Sequence, residues 1–335
     1  MQDGGLLVPF DSSRGIPNLF GIPPITQSHT RRLGTEEGFE GTVMTAQFVM
    51  MHLFNGLILG SIYVLLSLGL SIIFGMLGII NFAHGAFYML GAYCAYTLTT
   101  YLAFNSWVTL ALTPFILGLF GAGCEFFLFR RLYKLPPLYA MLFTFGLMLV
   151  LQDVIRMIYG GVGVPYQTPE TFVGAVNLGF MYYPKYRLFL IIVSGLCSFG
   201  VWLFLSKTKL GSIIRAGTDN SLMVDALGIN IARIVTFSFA LGIGLAGLAG
   251  VLAAPMQNVT HVMGIDFLID CFVVVVIGGM GSIAGSIVGG LIVGEIIALG
   301  VMIWPPMAHS LIYLFMAAFL LLRPRGLFGR EAFHD

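Results

Sequence analysis

From Gly41 to Cys124 the chain contains no Asp, Glu, Lys or Arg. Soluble domains carry charge on about a quarter of their residues, so no water-facing surface can be built from such a stretch. Apolar runs of about 20 residues can cross a bilayer as helices. They recur along the chain near 53–77, 79–103, 107–129, 139–159, 188–205, 234–256, 266–279, 281–300 and 307–322. Composition agrees, with 58% hydrophobic residues, 9% charged residues and a mean hydropathy of +0.95. The other fold that satisfies its own backbone in lipid is a closed β-barrel, with strands of about ten residues in dyad alternation. "LFLIIVSGLCSFGVWLFL" shows no alternation. The expected class is therefore an all-α polytopic membrane protein, a bundle of about eight to ten transmembrane helices.

The chain divides into three regions. Residues 1–45 are polar and rich in Pro and Gly, and are expected to form a disordered tail. Residues 46–330 form the transmembrane domain, and 331–335 a short C-terminal tail. Cytoplasmic loops of membrane proteins collect Lys and Arg. The clusters Arg130, Arg131, Lys134, then Lys207, Lys209, Arg215, Arg233, then Arg323, Arg325, Arg330 all fall on one side if each intervening pair of spans goes out and back. This places residues 160–187 and the start of the first span outside, with Lys185 and Arg187 as the exceptions. The four cysteines, Cys94, Cys124, Cys197 and Cys271, lie in apolar segments without a CxxC spacing, which points to small buried hydrophobes.

The longest polar inter-span segment, "SKTKLGSIIRAGTDNSLMVDALGINIARI" at 206–234, carries apolar residues at helical spacing. Ile213, Ile214, Ala216, Leu222, Met223, Ala226 and Leu227 suggest short amphipathic helices outside the membrane. Thr218, Asp219 and Asn220 look like a helix start, and Gly228 a helix end. Two readings stand open: a docking surface for a partner, or a helix lying on lipid headgroups.

Several polar residues lie at membrane depth, where they must face protein or a water-filled cavity. Asn81 and His84 sit among glycines in "INFAHGAFYMLGAY", either lining a path at a helix break or tying two helices together. Gln152, Asp270 and Glu295 are further candidates for a translocation path. Asp266 is expected to cap its helix, Asp153 and Arg156 to pair at i,i+3, and Glu125 to pair with Arg130 or Arg131. "IGGMGSIAGS" lacks the Lys of a phosphate-binding loop. Gly278, Gly281, Gly285 and Gly289 instead form a close-packing helix face. The outer loop 160–187 either contacts a partner or is an ordinary connection.

Four motifs in register carry a resemblance. "FNGLILGSIYVLLSLGLSIIFGMLGIINFAHGAFYMLGAY", "GSIIRAGTDNSLMVDALGIN", "IGGMGSIAGSIVGGLIVGEIIAL" and "RPRGLFGR" resemble the permeases of branched-chain amino acid ABC importers, especially the H-type (LivH-like) subunit. The resemblance spans about residues 53–330. It implies an inner-membrane permease half that translocates branched-chain amino acids or a related small solute such as urea, an amide or a carboxylate. Its implied partners are a second, M-type permease, two cytoplasmic ATPases, a periplasmic solute-binding protein and the lipid bilayer, with no nucleic acid. This chain would bind no cofactor, ATP and magnesium being used by the partner subunits. Within the 206–234 coupling loop, Ser212 to Ile231 would be the coupling helix, with Asp219 capping it, Met223 and Ala226 filling an ATPase cleft, Arg215 pairing with acid groups there, and Gly228 ending the helix. The rival classes are an ATP-independent transporter or channel, and a membrane enzyme, although the six histidines are scattered along the chain.

Overall fold

The structure, a computed structural model, describes residues 36–329 except Lys134 and Phe180, with side chains from Ala46 onward. Two units divide the chain, Met1–Thr45 and Ala46–Asp335. In the first, residues 36–45 are helical, while the expected tail at 1–35 lies outside the described residues, as does 331–335. The helical bundle belongs to the second unit.

The helices in chain order are α1 (Glu36–Leu77), α2 (Ala83–Thr100), α3 (Ser106–Phe127), α4 (Pro137–Tyr159), α5 (Lys185–Lys207), α6 (Lys209–Asp219), α7 (Ser221–Ala226), α8 (Ile231–Ala253), α9 (Met263–Gly278), α10 (Ile283–Ile303) and α11 (Ala308–Leu322). A hairpin of β1 (Ala175–Asn177) and β2 (Tyr182–Pro184), not foreseen from the sequence, folds the long loop after α4. Nine of these helices coincide with the nine apolar blocks, and seven among the described residues are long and apolar enough to cross a membrane. The other two depart for different reasons. α2 carries Tyr88, Tyr93, Tyr96, His84 and three threonines, while α9, at 16 residues, is only about 24 Å long. Both tolerate this because neighbouring helices, rather than lipid, cover most of them.

Contacts between loops fix which helix ends share a side. Val164 and Val259 pair as an isolated β-bridge, and Tyr183 Oη donates to Asn55 Oδ1 at 3.2 Å. These put the α4–α5 loop, the α8–α9 loop and the upper part of α1 together. At the opposite end, Leu327 N donates to Ile277 O at 2.8 Å and Phe328 N to Gly278 O at 3.0 Å, docking the segment after α11 onto the end of α9. The two sets match the in-and-out parity derived from the basic clusters. Arg187, one of the two basic residues on the outer side, is held by Asn55 Oδ1 at 2.7 Å.

α1 is the most enclosed span, with 83% of its most apolar stretch buried, against 67% for α8 and 11% for α11. The helices meet at glycines. A Cβ on Gly85 (α2) would strike the Gly264 backbone (α9), and one on Gly264 would strike Gly85. Gly278 and Gly285 exclude each other in the same way at the α9–α10 crossing, and Gly289 lies against Val274 O. Gly281, expected on the same packing face, lies outside both helices and holds the turn between them at φ +78. Gly290 and Gly294 face α1 instead, over Val64 and Gly60. The four cysteines are free.

Gly85→Ala is expected to destabilise the fold by about 1–3 kcal/mol, the usual cost of overpacking. Gly123→Ala on α3, where a Cβ meets nothing within 4 Å, should leave it unchanged or stabilise it slightly. Thermal unfolding of the detergent-solubilised protein checks both.

Candidate functional site

The inner end of the bundle carries the segment between α5 and α8. Thr208 caps α6 by accepting from Gly211 N at 3.0 Å, and α6 buries Gly211, Ile214 and Gly217. This face rests on the end of α5 and on Met76 of α1. Asn220, not Asp219, caps α7, its Oδ1 accepting from Met223 N at 2.9 Å. Asp219 is the last residue of α6, one position too early for that role. Gly228 ends α7 in the left-handed region at φ +82, as its position suggested, its N–H bonded to Asp225 O at 2.9 Å. Arg215 folds back, donating to the Leu205 carbonyl at the end of α5 and to Ser212 Oγ at 3.5 Å. Its guanidinium thus completes a helix terminus of its own chain.

α7 inverts the usual arrangement of apolar residues. Val224 is buried and anchors it, while Leu222, Met223 and Leu227 are 83%, 63% and 75% exposed, with Ala226 exposed beside them. Val224 is the buried residue of this six-residue helix, and Leu222, Met223 and the following Leu227 project on the side of the basic clusters.

Above it, Glu125 is fully buried at the foot of α3. Its carboxylate meets Arg130 Nη2 at 3.2 Å, the Tyr133 hydroxyl at 2.9 Å and the Thr236 hydroxyl of α8 at 2.5 Å, and Arg130 also donates to Thr236 at 2.7 Å. The expected pairing with Arg130 thus extends into a network tying α3 to α8. The Asp153–Arg156 pair does not form: both side chains are exposed, and no ion pair joins them.

The path candidates lie in separate settings, and among the described residues no hydrogen bond joins any two of them. Asn81 opens α2, its Oδ1 accepting from Ala83 N at 3.1 Å just after the chain turns at Gly78, φ +63. His84 is fully buried with Nε2 at 3.0 Å from Leu66 O of α1, packed beside Gly69. Gln152 is buried on α4 with its Nε2 unbonded. Glu295 on α10 is half-buried against Gly56 of α1, with Oε2 unbonded.

Asp270 makes the richest set of contacts. It is 2% exposed on α9, where its carboxylate accepts from Tyr63 Oη of α1 at 2.6 Å and Tyr313 Oη of α11 at 3.3 Å, with His309 Nδ1 at 3.6 Å. Hydrogen bonds to a charged group are worth about 1.5–3 kcal/mol each, so this carboxylate is the main polar tie of the poorly covered α11. The sequence marks Asp270 but not its partners, because Tyr63, Asp270 and Tyr313 lie in three distant segments. Asp266 sits exposed in the first turn of α9 and makes no side-chain cap.

On the outer side, the end of α2, the start of α3 and residues 165–171 enclose a cleft of about 600 Å³. Tyr96, Phe104, Trp107 and Tyr166 line it together with Glu170.

Glu125→Ala, which strands Arg130 in a part-buried site, should cost about 3–5 kcal/mol, whereas Tyr133→Phe, which removes one hydrogen bond to that carboxylate, should cost about 1.5–3 kcal/mol. Chemical unfolding in mixed micelles distinguishes the two.

A family model described as "Branched-chain amino acid transport system / permease component" matches residues 52–322. The chain is 32% identical over 295 residues to the high-affinity branched-chain amino acid transport system permease protein BraD of Pseudomonas aeruginosa, covering 84% of this chain and 96% of that one. Against LivH of Escherichia coli it is 28% identical, covering 86% and 98%. It is also 27% identical to LivM of the same organism, over 66% of this chain and 57% of that one. No solved structure matches.

Proposed function

This chain belongs to the family of branched-chain amino acid transport permease components, and from that premise we propose that it forms one half of an ATP-driven import pathway in the inner membrane. Its cargo is a branched-chain amino acid or a related small polar solute such as urea, an amide or a carboxylate. A second permease of the M type completes the pathway, and a binding protein delivers solute from outside. Two cytoplasmic ATPases supply the energy, so ATP and magnesium act on those partners, and this chain performs no bond chemistry.

The observation that carries the reading is α7. Leu222, Met223 and Leu227 stand exposed beside the basic inner clusters, where burying an apolar group gains roughly 25 cal/mol per Å². An ATPase cleft closing on α7 would push on α6, which is seated on α1 and α5 through Gly211, Ile214 and Gly217. The force thereby reaches the most enclosed helix of the bundle. On the outer side, the aromatic cleft with Glu170 is a contact surface available to the binding protein.

The test is reconstitution with the neighbouring-gene subunits in proteoliposomes. Leucine uptake should require internal ATP, and Met223→Glu should lower it at least tenfold and weaken co-purification of the ATPases, with the permease pair intact. Uptake driven by an ion gradient without ATP, and indifferent to Met223→Glu, would overturn the proposal. A ligand screen on the binding protein then identifies the solute.

A further inference from the structure

The exposed surface of the bundle divides into two kinds. Between their ends α3 and α5 expose apolar side chains or glycine only, including Phe115, Leu119, Leu196 and Phe199, and the exposed Lys185 and Lys207 stand at the two termini of α5, where a long side chain reaches the headgroups. Lipid satisfies such a surface completely. α4, α9 and α11 are different, exposing Asp153 and Arg156, Asp266, and His309 with Tyr313. α9 and α11 pack on each other, and α4 and α9 both pack on α2. Phe82 touches Phe145 of α4 and Phe272 of α9 with ring centroids 6.1 and 5.6 Å apart, and Asp270 of α9 takes the Tyr313 and His309 contacts of α11. The polar groups therefore gather on one side of the molecule, at its outer end.

Depth makes them costly in lipid. Asp153 lies six residues from the end of α4 (Tyr159), or about 9 Å along the axis, and a short carboxylate cannot snorkel that far as Lys or Arg can. α9 is shorter than the roughly 30 Å hydrocarbon core, so Asp266 in its first turn does not reach the headgroups freely. Charges at such depth face protein or water. Water alone does not fit either, because the inner two-thirds of the same face is apolar, with Leu142, Leu149, Ile269 and Leu314 exposed. A cover that is apolar toward the inside and polar toward the outside is needed. A membrane subunit of the same fold supplies it, and this chain is similar to two differently named permeases of one organism.

We propose that the second permease docks on the face formed by α4, α9 and α11. The outer parts of the two subunits enclose a wet entry lined by Asp153, Arg156, Asp266 and His309, while α3 and α5 face lipid. The inference rests on the permease-half reading and adds to it the face, the helices and the polar mouth.

The experiment places a photoreactive benzophenone amino acid, one position at a time, at Leu149, Met157 and Leu314, and as controls at Phe115 and Leu196. Each variant is expressed with the complete importer and irradiated in membranes. Adducts shifted to the combined mass of the two permeases are expected from Leu149, Met157 and Leu314, and only lipid adducts from Phe115 and Leu196. Permease adducts from the controls, or none from the first three while the second permease still co-purifies, would overturn the assignment of the face. Failure of any second permease to co-purify would sink the permease-half reading itself, and this inference with it.

Discussion

Backbone lying directly on backbone, without side chains between, is the contact on which the rest of this bundle depends. Gly85 against Gly264, Gly278 against Gly285 and Gly69 against Gly242 each leave no space for a β-carbon. Lipid tails are as apolar as leucine, so helices in a membrane gain little by merely hiding apolar surface, and close approach with full van der Waals contact takes over. The glycines recruit α2, α8, α9 and α10 around α1. They also set the positions of the polar groups, since His84 reaches Leu66 O past Gly69 only because that crossing is tight.

Once the helices are that close, each buried polar group must find its partner inside the protein. Glu125 does so at the inner end and Asp270 in the outer half, and the two do different work. Glu125 joins α3 to α8 through Arg130, Tyr133 and Thr236 at the base of the bundle, beside the segment that carries α7. Asp270 fastens the sparsely covered α11 to α1 and α9. On the proposed function, close seating below α1 and a lighter attachment at α11 suit a bundle pushed at one end and rearranged at the other.

The nine apolar blocks and the loops that share a side were legible in the sequence, because hydrocarbon thickness and positive loops act locally on composition. Gly228 as a helix end and Glu125 as a partner of Arg130 were legible for the same reason: their partners are within a turn or two. The Asp219 cap and the Asp153–Arg156 pair failed at that same range. Asn220 is one residue better placed for the free N–H of Met223. Asp153 and Arg156, though i,i+3, point outward without meeting.

By itself the sequence determined a helical membrane bundle, its family and the segment that projects from it, since each depends on patterns a few residues to a few turns long. Tertiary structure alone decided that Asp270 meets Tyr63 and Tyr313, that α7 exposes its apolar side chains while Val224 holds it, and that charged groups collect on α4, α9 and α11. Each of these depends on which helices are neighbours. Glycines at the crossings set that adjacency, and hydropathy along a linear chain carries no record of it.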